Sequence, residues 1–441
     1  MTATPWEGRR LHFVGIGGAG MQGWALVARE LGAQVSGSDR EDSPALAALR
    51  ESGITAIAGH CAANLPEGDD VEVVYSTAIP DDNPELAGAR ERGLRAMPRA
   101  ELLGELTALR QTIAVAGAHG KTTTTSMIAH VLGEAGLDPG YLIGGTLSAT
   151  GRNAAWGSGP WLVVEADESD RSLLSLDTDI AVLNNVELDH HASYRSEEEL
   201  REVFREFLAG APRAVIADER SLLELRGDAP YVAFDPGPID TASGRPRFAW
   251  RGLEVELAVP GEHNAWNAAA ALEAASLAGV GDAEAVRAIG SFSGAGRRFE
   301  ELGRSRAGAR VVDDYAHHPT ELEAAIAAAR TQGPGRLVAV FQPHLFSRTG
   351  ELADRFGQAL AAADLAVVVD VYPSRESAAD FPGVTGELVA RAAQEAGGTV
   401  EWIPSMADAG ARLEELLGPE DLCLVMGAGD VRSLGENLVS G

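Results

Sequence analysis

This chain of 441 residues contains 35 arginines and one lysine, Lys121. The lysine lies in Gly117-Ala118-His119-Gly120-Lys121-Thr122, directly after the apolar run at residues 112–116 and before a helical pattern. Turn amides in such a loop surround phosphates, the lysine reaches β- and γ-oxygens, and the threonine hydroxyl can bind Mg²⁺. Val115 occupies the position of the usual first glycine, so the loop is a shortened one. Where arginine serves almost everywhere else, a solitary lysine marks a place that needs a compact ammonium.

Three other patterns carry chemistry. Gly15-Ile16-Gly17-Gly18-Ala19-Gly20 follows a strand-like run and opens a helix beginning near Met21, so bare backbone can approach a pyrophosphate there. Ser38-Asp39 ends the next strand, where an acidic side chain would reach a ribose hydroxyl; NAD, FAD and a nucleotide-sugar all fit this much. Glu165-Ala166-Asp167-Glu168-Ser169-Asp170 closes another apolar strand and reads as a hard-cation site, and an imidazole of Asp189-His190-His191 could be a further ligand. Polar strand ends and loops recur at Gly261-Glu262-His263-Asn264 with Asn267, Arg297-Arg298-Phe299-Glu300, Asp313-Asp314-Tyr315-Ala316-His317-His318, Gln342 to Thr349 and Gly427 to Asp430. Together they describe a site shared between domains.

The elements that position these residues alternate strand and helix almost throughout, which predicts parallel α/β layers. At roughly 150 residues per domain the length implies about three. The boundaries expected are 1–105, 106–297 and 298–441: a Rossmann-like domain, a central P-loop ATPase-type domain and a second Rossmann-like domain. The stretch 235–261, rich in Pro and Gly, reads as hairpins, and residues 264–277 as an alanine-rich helix.

A formal net charge of -29 excludes a non-specific nucleic-acid or anionic-membrane surface, so any anion must be held locally. Two cysteines, Cys61 and Cys423, build neither a disulfide framework nor a zinc site alone. With no apolar signal core and no run approaching a membrane span, the chain is expected to be cytoplasmic.

In order along nearly the whole chain, HFVGIGGAGM, SGSD, GAHGKTTTT, EADESD, NVELDHH, PGEHNAWNAAAA, GRRFE, VVDDYAHHPTE, FQPHLFSRT, VTG and MGAGD resemble the Mur ligases, in particular their alanine-adding branch. The resemblance implies ATP-dependent, Mg²⁺-assisted ligation of L-alanine to the lactyl carboxylate of UDP-N-acetylmuramate. It makes Gly15, Gly17, Gly18, Ala19, Gly20, Met21, Ser38 and Asp39 contacts of the UDP-sugar. Gly117, His119, Gly120, Lys121, Thr122 and Thr123 become ATP contacts, with His263, Asn264 and Asn267 on the adenine side, Arg298 on phosphate and Asp313 on ribose. Thr122, Glu165 and His190 become metal ligands, and Tyr315, His317 and Arg348 the wall receiving L-alanine; Lys121, His190, Arg348 and His317 would be catalytic.

The chain departs from relatives that use a carbamylated lysine as a metal ligand, because Lys121 is the only lysine; His190 and water then substitute. Ala192 and Leu345-Phe346 stand where many alanine-adding relatives carry Asp and Arg-Tyr. Competing readings are a ligase that joins a whole tripeptide to the same sugar, an NAD-dependent oxidoreductase and a non-catalytic nucleotide-binding protein. The oxidoreductase leaves the lysine loop and the acidic strand end unexplained. Lys121→Arg is expected to lose ligase turnover while keeping the fold, because a planar guanidinium cannot replace an ammonium in a tight glycine turn. Phosphate release and circular dichroism check this, and near-normal turnover overturns it.

Overall fold

The computed structural model describes residues 4–76, 78–188 and 194–440, and only the backbone of Ala19. His190 and Ala192 lie outside the described residues. The chain forms two compact units, Met1–Asp235 with Ala268–Ala288, and Pro236–Asn267 with Ile289–Gly441.

The first unit holds two sheets. In chain order the first contributes β1 (Arg10–Val14), α1 (Ala19–Glu30), β2 (Gln34–Asp39), α2 (Pro44–Glu51), β3 (Thr55–Ala58), β4 (Val71–Tyr75), α3 (Pro84–Glu91), β5 (Arg95–Pro98) and α4 (Arg99–Thr107). The strand order is β3-β2-β1-β4-β5, all parallel. The order reverses beside β1, and ligands of such sheets bind outside the carboxyl ends at that point; the glycine turn leaves β1 there.

The second sheet follows with β6 (Gln111–Ala116), α5 (Lys121–Glu134), β7 (Gly140–Leu147), β8 (Arg152–Ala155), β9 (Trp161–Glu165), β10 (Ile180–Leu183), α6 (Glu197–Gly210), β11 (Arg213–Ala217), α7 (Arg220–Leu223) and β12 (Val232–Phe234). Its order is β12-β11-β10-β6-β9-β7-β8. The central strands are continuous apolar runs because helices cover both faces; Ile113 to Ala116 and Ile180 to Leu183 are fully buried. Not every strand is parallel: β8 returns antiparallel to β7 through a short turn. Helix α1 packs on this pair, and a Cβ on Gly23 would stand 3.0 Å from that of Ala154.

The second unit begins with the hairpin β13 (Arg247–Trp250) and β14 (Leu253–Glu256), antiparallel as the Pro/Gly content implied. Its two turn residues, Arg251 (φ 49°) and Gly252 (φ 80°), both take the left-handed conformation that matches strand twist in a two-residue loop. Next come α8 (Glu262–Leu277), which runs from this unit into the first, and α9 (Asp282–Gly290), which lies in the first unit up to Ala288; the second unit then holds β15 (Glu300–Arg304), β16 (Arg310–Asp314), α10 (Pro319–Thr331), β17 (Arg336–Phe341), α11 (Phe346–Leu360), β18 (Leu365–Val368), α12 (Gly386–Glu395), β19 (Val400–Trp402), α13 (Met406–Leu416), β20 (Asp421–Met426) and α14 (Arg432–Ser440). The third sheet runs β15-β16-β20-β17-β18-β19, with β15 alone antiparallel. Its apolar faces bury Phe341, Phe356 and Leu322 on one side and Val338, Val340 and Leu413 on the other.

Glu85, at the start of α3, is fully buried and gathers the first sheet's polar interior. It accepts from the Ser38 hydroxyl (2.6 Å), Asn64 Nδ2 (2.7 Å) and the Cys61 amide (3.1 Å), and its Oε2 lies 3.2 Å from His12 Nε2. Burial alone would raise its pKa; the hydrogen bonds from His12, Ser38, Asn64 and Cys61 outweigh it and hold the carboxyl at about 2. The carboxylate form therefore stabilises the fold above the unfolded value of 4.5, and that contribution is lost as pH falls from 4.5 towards 2. Glu85→Gln should reduce stability by about 3 kcal/mol at pH 7, with the gap narrowing towards pH 2.5. Urea unfolding across pH checks this, and a pH-independent gap overturns it.

Candidate active site

At the end of β1 the glycine turn is built by backbone bonding to the next strand. The amides of Gly15 and Ile16 donate to Ser38 O at 2.8 and 2.9 Å, and Gly17 N–H donates to Asp39 Oδ2 at 2.8 Å. A Cβ on Gly17 would meet Leu46 Cδ1 at 2.7 Å and Asp39 Oδ2 at 2.9 Å, so a larger residue would have to displace both side chains. The first i→i−4 bond of α1 is made by Gln22 N–H to Gly18 O, which leaves the amides of Ala19, Gly20 and Met21 as the unclosed first turn. An anion at this helix end meets both the amides and the positive end of the helix dipole.

Two residues expected at the UDP-sugar also make hydrogen bonds within the domain. One oxygen of Asp39 braces Gly17 and the other takes the amide of Arg40. Ser38 is fully buried, with its hydroxyl turned inward to Glu85 and 2.9 Å from His60 Nδ1. The physical reason is shared: a polar group at the end of a central strand needs hydrogen-bond partners where water is excluded.

In the second sheet, residue pairing sets the carboxyl ends of β6, β9 and β10 side by side. Val115 pairs with Glu165, and Ala116 with Leu183. After β6 the chain turns through Gly117 (φ 134°) and Gly120 (φ 81°), conformations that L side chains rarely adopt, and Gly120 caps α5. The first closed bond of α5 is Thr124 N–H to Gly120 O, so the amides of Lys121, Thr122 and Thr123 lie in its open first turn. His119 is clamped by Asn185, whose Oδ1 takes its amide (2.9 Å) and whose Nδ2 donates to its carbonyl (3.1 Å), and its Nε2 lies 2.9 Å from Glu187 Oε2. Asn184 Nδ2 donates to Thr124 Oγ1 at 3.0 Å.

Lys121 folds back over this loop. Its Nζ donates to Gly117 O (2.6 Å) and lies 2.9 Å from both oxygens of Glu168, whose side chain is 2% exposed. Burial by itself would lower the ammonium's pKa, but Glu168, Asp167 and Glu165 outweigh it and raise it above the usual lysine value. Asp167 is held below the usual carboxylate range: burial opposes this, and Lys121, the Ser169 amide and Arg99 prevail. Glu165 accepts the Gly144 amide at 2.6 Å. Tyr194 donates its hydroxyl to Glu168 O, and burial pushes that phenol up to about 12. Glu165 and Asp167 both act on the Lys121 ammonium, and Thr122 follows it in the chain; carboxylate and hydroxyl oxygens are the donor chemistry that suits Mg²⁺. His190, the remaining expected ligand, lies outside the described residues.

The second unit gathers its own set. His263 is pushed down to about 4, first by burial and then by Arg298, so it is neutral at pH 7. Asn264 donates to Pro260 O at 2.7 Å, and Asn267 donates to Asn264 Oδ1 at 3.1 Å. Arg297 (φ 59°) and Phe299 (φ 50°) both take left-handed backbone on either side of Arg298, and the guanidinium carbons of Arg297 and Arg298 sit 4.7 and 5.2 Å from the Tyr315 ring centroid. Asp314 accepts the amides of Phe299 and Ala316, both at 2.8 Å, and burial pushes it up to about 6. Asp313, expected at a ribose, is fully buried instead. Its Oδ2 takes Arg432 (2.9 Å) and Arg297 (3.3 Å), while Oδ1 has no hydrogen-bond partner among the described residues.

Next to this loop the structure brings together the residues expected at the amino acid. The rings of Tyr315 and His317 are 5.3 Å apart, His317 and His344 6.1 Å, and His344 stacks on Tyr372 at 5.8 Å. Arg348 Nη1 lies 3.5 Å from His344 Nδ1. Leu345 (φ 69°) makes the turn into α11 that carries Arg348. His317 Nδ1 faces two oxygens, Tyr315 O at 2.9 Å and Glu321 Oε2 at 3.2 Å, so this nitrogen carries a proton.

Sequence reasoning did not single out Arg99, Asn184, Asn185, Glu187, Tyr194, Arg432 or Tyr372 as working residues, nor the pairing of Glu168 with the lysine. Asn184-Asn185 directly follows a buried strand, the same signal that marked Glu165. Arg99 and Arg432 carry no local signal among 35 arginines.

Three family models match the chain: "Mur ligase family, catalytic domain" over residues 10–111, "Mur ligase middle domain" over 115–230 and "Mur ligase, glutamate ligase domain" over 297–429. The chain belongs to the Mur ligase family. It is 45% identical to the UDP-N-acetylmuramate–L-alanine ligase of Renibacterium salmoninarum, covering 97% of this chain and 94% of that one, and 43% identical to that of Streptomyces griseus, covering 98% and 96%. Among solved structures it is similar to the UDP-N-acetylmuramate-alanine ligase of Thermotoga maritima (TM-score 0.84, 28% identity, 98% of both chains) and to a murein peptide ligase of Psychrobacter arcticus (TM-score 0.73, 26% identity, 98% of both).

Removing one partner of a buried ion pair strands the other charge. Glu168→Ala should therefore cost about 3 kcal/mol of stability, and Lys121→Met should recover much of that loss in the double variant. Thermal or urea unfolding of the four proteins measures the coupling, and additive losses overturn the pairing.

Proposed function

We propose that this chain joins L-alanine to the lactyl carboxylate of UDP-N-acetylmuramate with cleavage of ATP, in the building of peptidoglycan precursors. The observation that carries the reading is the likeness, at 43–45% identity over nearly the full length, to ligases named for UDP-N-acetylmuramate and L-alanine. The domains taken to divide the work are 1–105 for the sugar nucleotide, 106–297 for ATP and 298–441 for nucleotide and amino acid. The work is assigned to a cytoplasmic enzyme; no helix among the described residues is long and apolar enough to cross a membrane.

A carboxylate is a poor acyl donor to an amine. Its oxygen first takes the γ-phosphoryl group of ATP, releasing ADP and leaving an acyl phosphate. The unprotonated amine of alanine then adds to the carbonyl carbon, and the tetrahedral oxyanion expels phosphate to leave the amide. Two anions meet in the first step, so positioning and charge neutralisation are the main contributions asked of the protein. We assign that task to Lys121 with the amides of Gly120 to Thr123. The ammonium reaches phosphate oxygens from its place beside Glu168, whose carboxylate stays paired with it. Thr122 and Glu165 would hold Mg²⁺, with His190 at a second position; the ion would supply positive charge at the phosphate oxygens. His263, Asn264 and Asn267 are assigned to the adenine, which neutral His263 suits, and Arg298 to phosphate. At the amino acid, Arg348 would pair with the carboxylate, Tyr315 would pack beside it and His317 Nε2 would take the proton that the ammonium must lose. Gly15 to Met21 are assigned to the UDP portion through their amides.

Phosphate release with ATP, Mg²⁺ and UDP-N-acetylmuramate should require L-alanine. Release only with the tripeptide would establish the tripeptide-joining reading in its place, and no release with any amino donor would overturn both.

A further inference from the structure

Arg99 is the first residue of α4, and its guanidinium lies among four groups of the first unit. Its Nε and Nη2 both donate to Asp170 Oδ2, at 3.1 and 2.8 Å, and Nη2 reaches Asp167 Oδ2 at 3.3 Å. The guanidinium carbon is 5.7 Å from the Trp24 ring of α1. Its opposite edge, Nη1, would stand 3.3 Å from a Cβ on Gly20, beside the open first turn of that helix. Among the described residues Nη1 makes no hydrogen bond, although the side chain is only 19% exposed. A guanidinium edge beside the positive end of a helix repels it, and an anion between the two turns the repulsion into a joint attraction. The other edge is equally committed: Asp170 Oδ1 takes the Ser172 amide at 3.0 Å, and Asp167, which lowers its charge cost through Lys121, takes the Ser169 amide at 2.9 Å.

We propose that Arg99 couples the two ligand turns: Nη1 takes an anionic group of the sugar nucleotide at the first turn of α1, while Nε and Nη2 keep Asp170 and Asp167 in place beside Lys121. The inference rests on the sugar nucleotide being the ligand of the glycine turn, as in the reading above. The planar fork explains the residue type, since two edges at a fixed angle are needed and an ammonium has none. The anionic group is a diphosphate or a carboxylate, and the two are separable with UDP alone.

The test uses the full chain and measures binding of UDP, UDP-N-acetylmuramate and Mg·ATP by calorimetry, with steady-state turnover alongside. Losing one charge-assisted contact in Arg99→Gln should weaken UDP-N-acetylmuramate by about tenfold or more and leave Mg·ATP binding within about twofold. A parallel loss for UDP alone assigns the contact to the diphosphate; a loss for the muramate only assigns it to the carboxylate. Arg99→Lys should recover much of the sugar-nucleotide affinity but not turnover. Asp170→Asn, which keeps the arginine, should lower turnover without changing sugar-nucleotide affinity, and it serves if Arg99→Gln does not fold. Unchanged affinity in Arg99→Gln, or equal losses for both ligands in Arg99→Lys and Asp170→Asn, overturns the proposal. The functional reading fails separately, if the unsubstituted chain releases no phosphate with L-alanine.

Discussion

The buried ammonium of Lys121 is the constraint around which the first unit is arranged. A charge removed from water is tolerated only when it is paired and hydrogen-bonded, and here Glu168 and the loop's own carbonyls do both. That requirement explains the surrounding chemistry. Glycines at positions 117 and 120 let the carbonyls of the loop turn towards Nζ, Asn185 holds the loop at His119, and Tyr194 pins the backbone of Glu168. Asp167 and Glu165 then share one small volume with the ammonium, and its charge keeps their negative charges affordable. The same arrangement suits phosphoryl transfer, because the ammonium would reach phosphate oxygens from its place beside Glu168.

The second unit solves a different problem, the placement of several arginines near one tyrosine. Arg297 and Phe299 adopt left-handed backbone, which costs of order 1 kcal/mol or more each for residues with a Cβ. The surroundings hold them there: Arg297 bonds Gly427 O and Asp313, Phe299 donates to Asp314, and Tyr315 donates back to Arg297 O. The result is that Arg298 projects from a rigid loop over the Tyr315 ring. Asp313 and Asp314 support this from beneath, which accounts for their burial and for the raised pKa of Asp314. Strain of this kind is a feature of functional loops, and here it lies on the two residues flanking Arg298, the one assigned to phosphate.

Much of the framework was legible locally. The apolar strand read as closing at Glu165 does end there, because central strands covered on both faces are uninterrupted apolar runs bounded by polar turns. The antiparallel partners β8 and β15 were not legible, because antiparallel pairing at a sheet edge leaves no distinct hydrophobic signature in short, half-exposed strands. Tyr315, His317 and Arg348 were named from motifs and are found together. Ser38 and Asp39 were expected at a ligand, and what the structure adds is that the Ser38 carbonyl and the Asp39 carboxylate brace the turn assigned to bind it.

Residue type and spacing alone determined that a lone lysine would sit in a phosphate-type loop, that carboxylates would end the strand beside it, and which family of chains has that order of motifs. These are local properties, set by glycine's conformational freedom, by strand periodicity and by side-chain chemistry. Tertiary structure decided which charges meet. Lys121 and Glu168 are 47 residues apart, Arg99 and Asp170 are 71 apart, and Arg432 and Asp313 are 119 apart. No local rule selects these partners, because an arginine or glutamate on a surface helix reads the same as one turned into a crevice. Only the parallel registry of the strands, which brings distant carboxyl ends to one edge, makes the distinction.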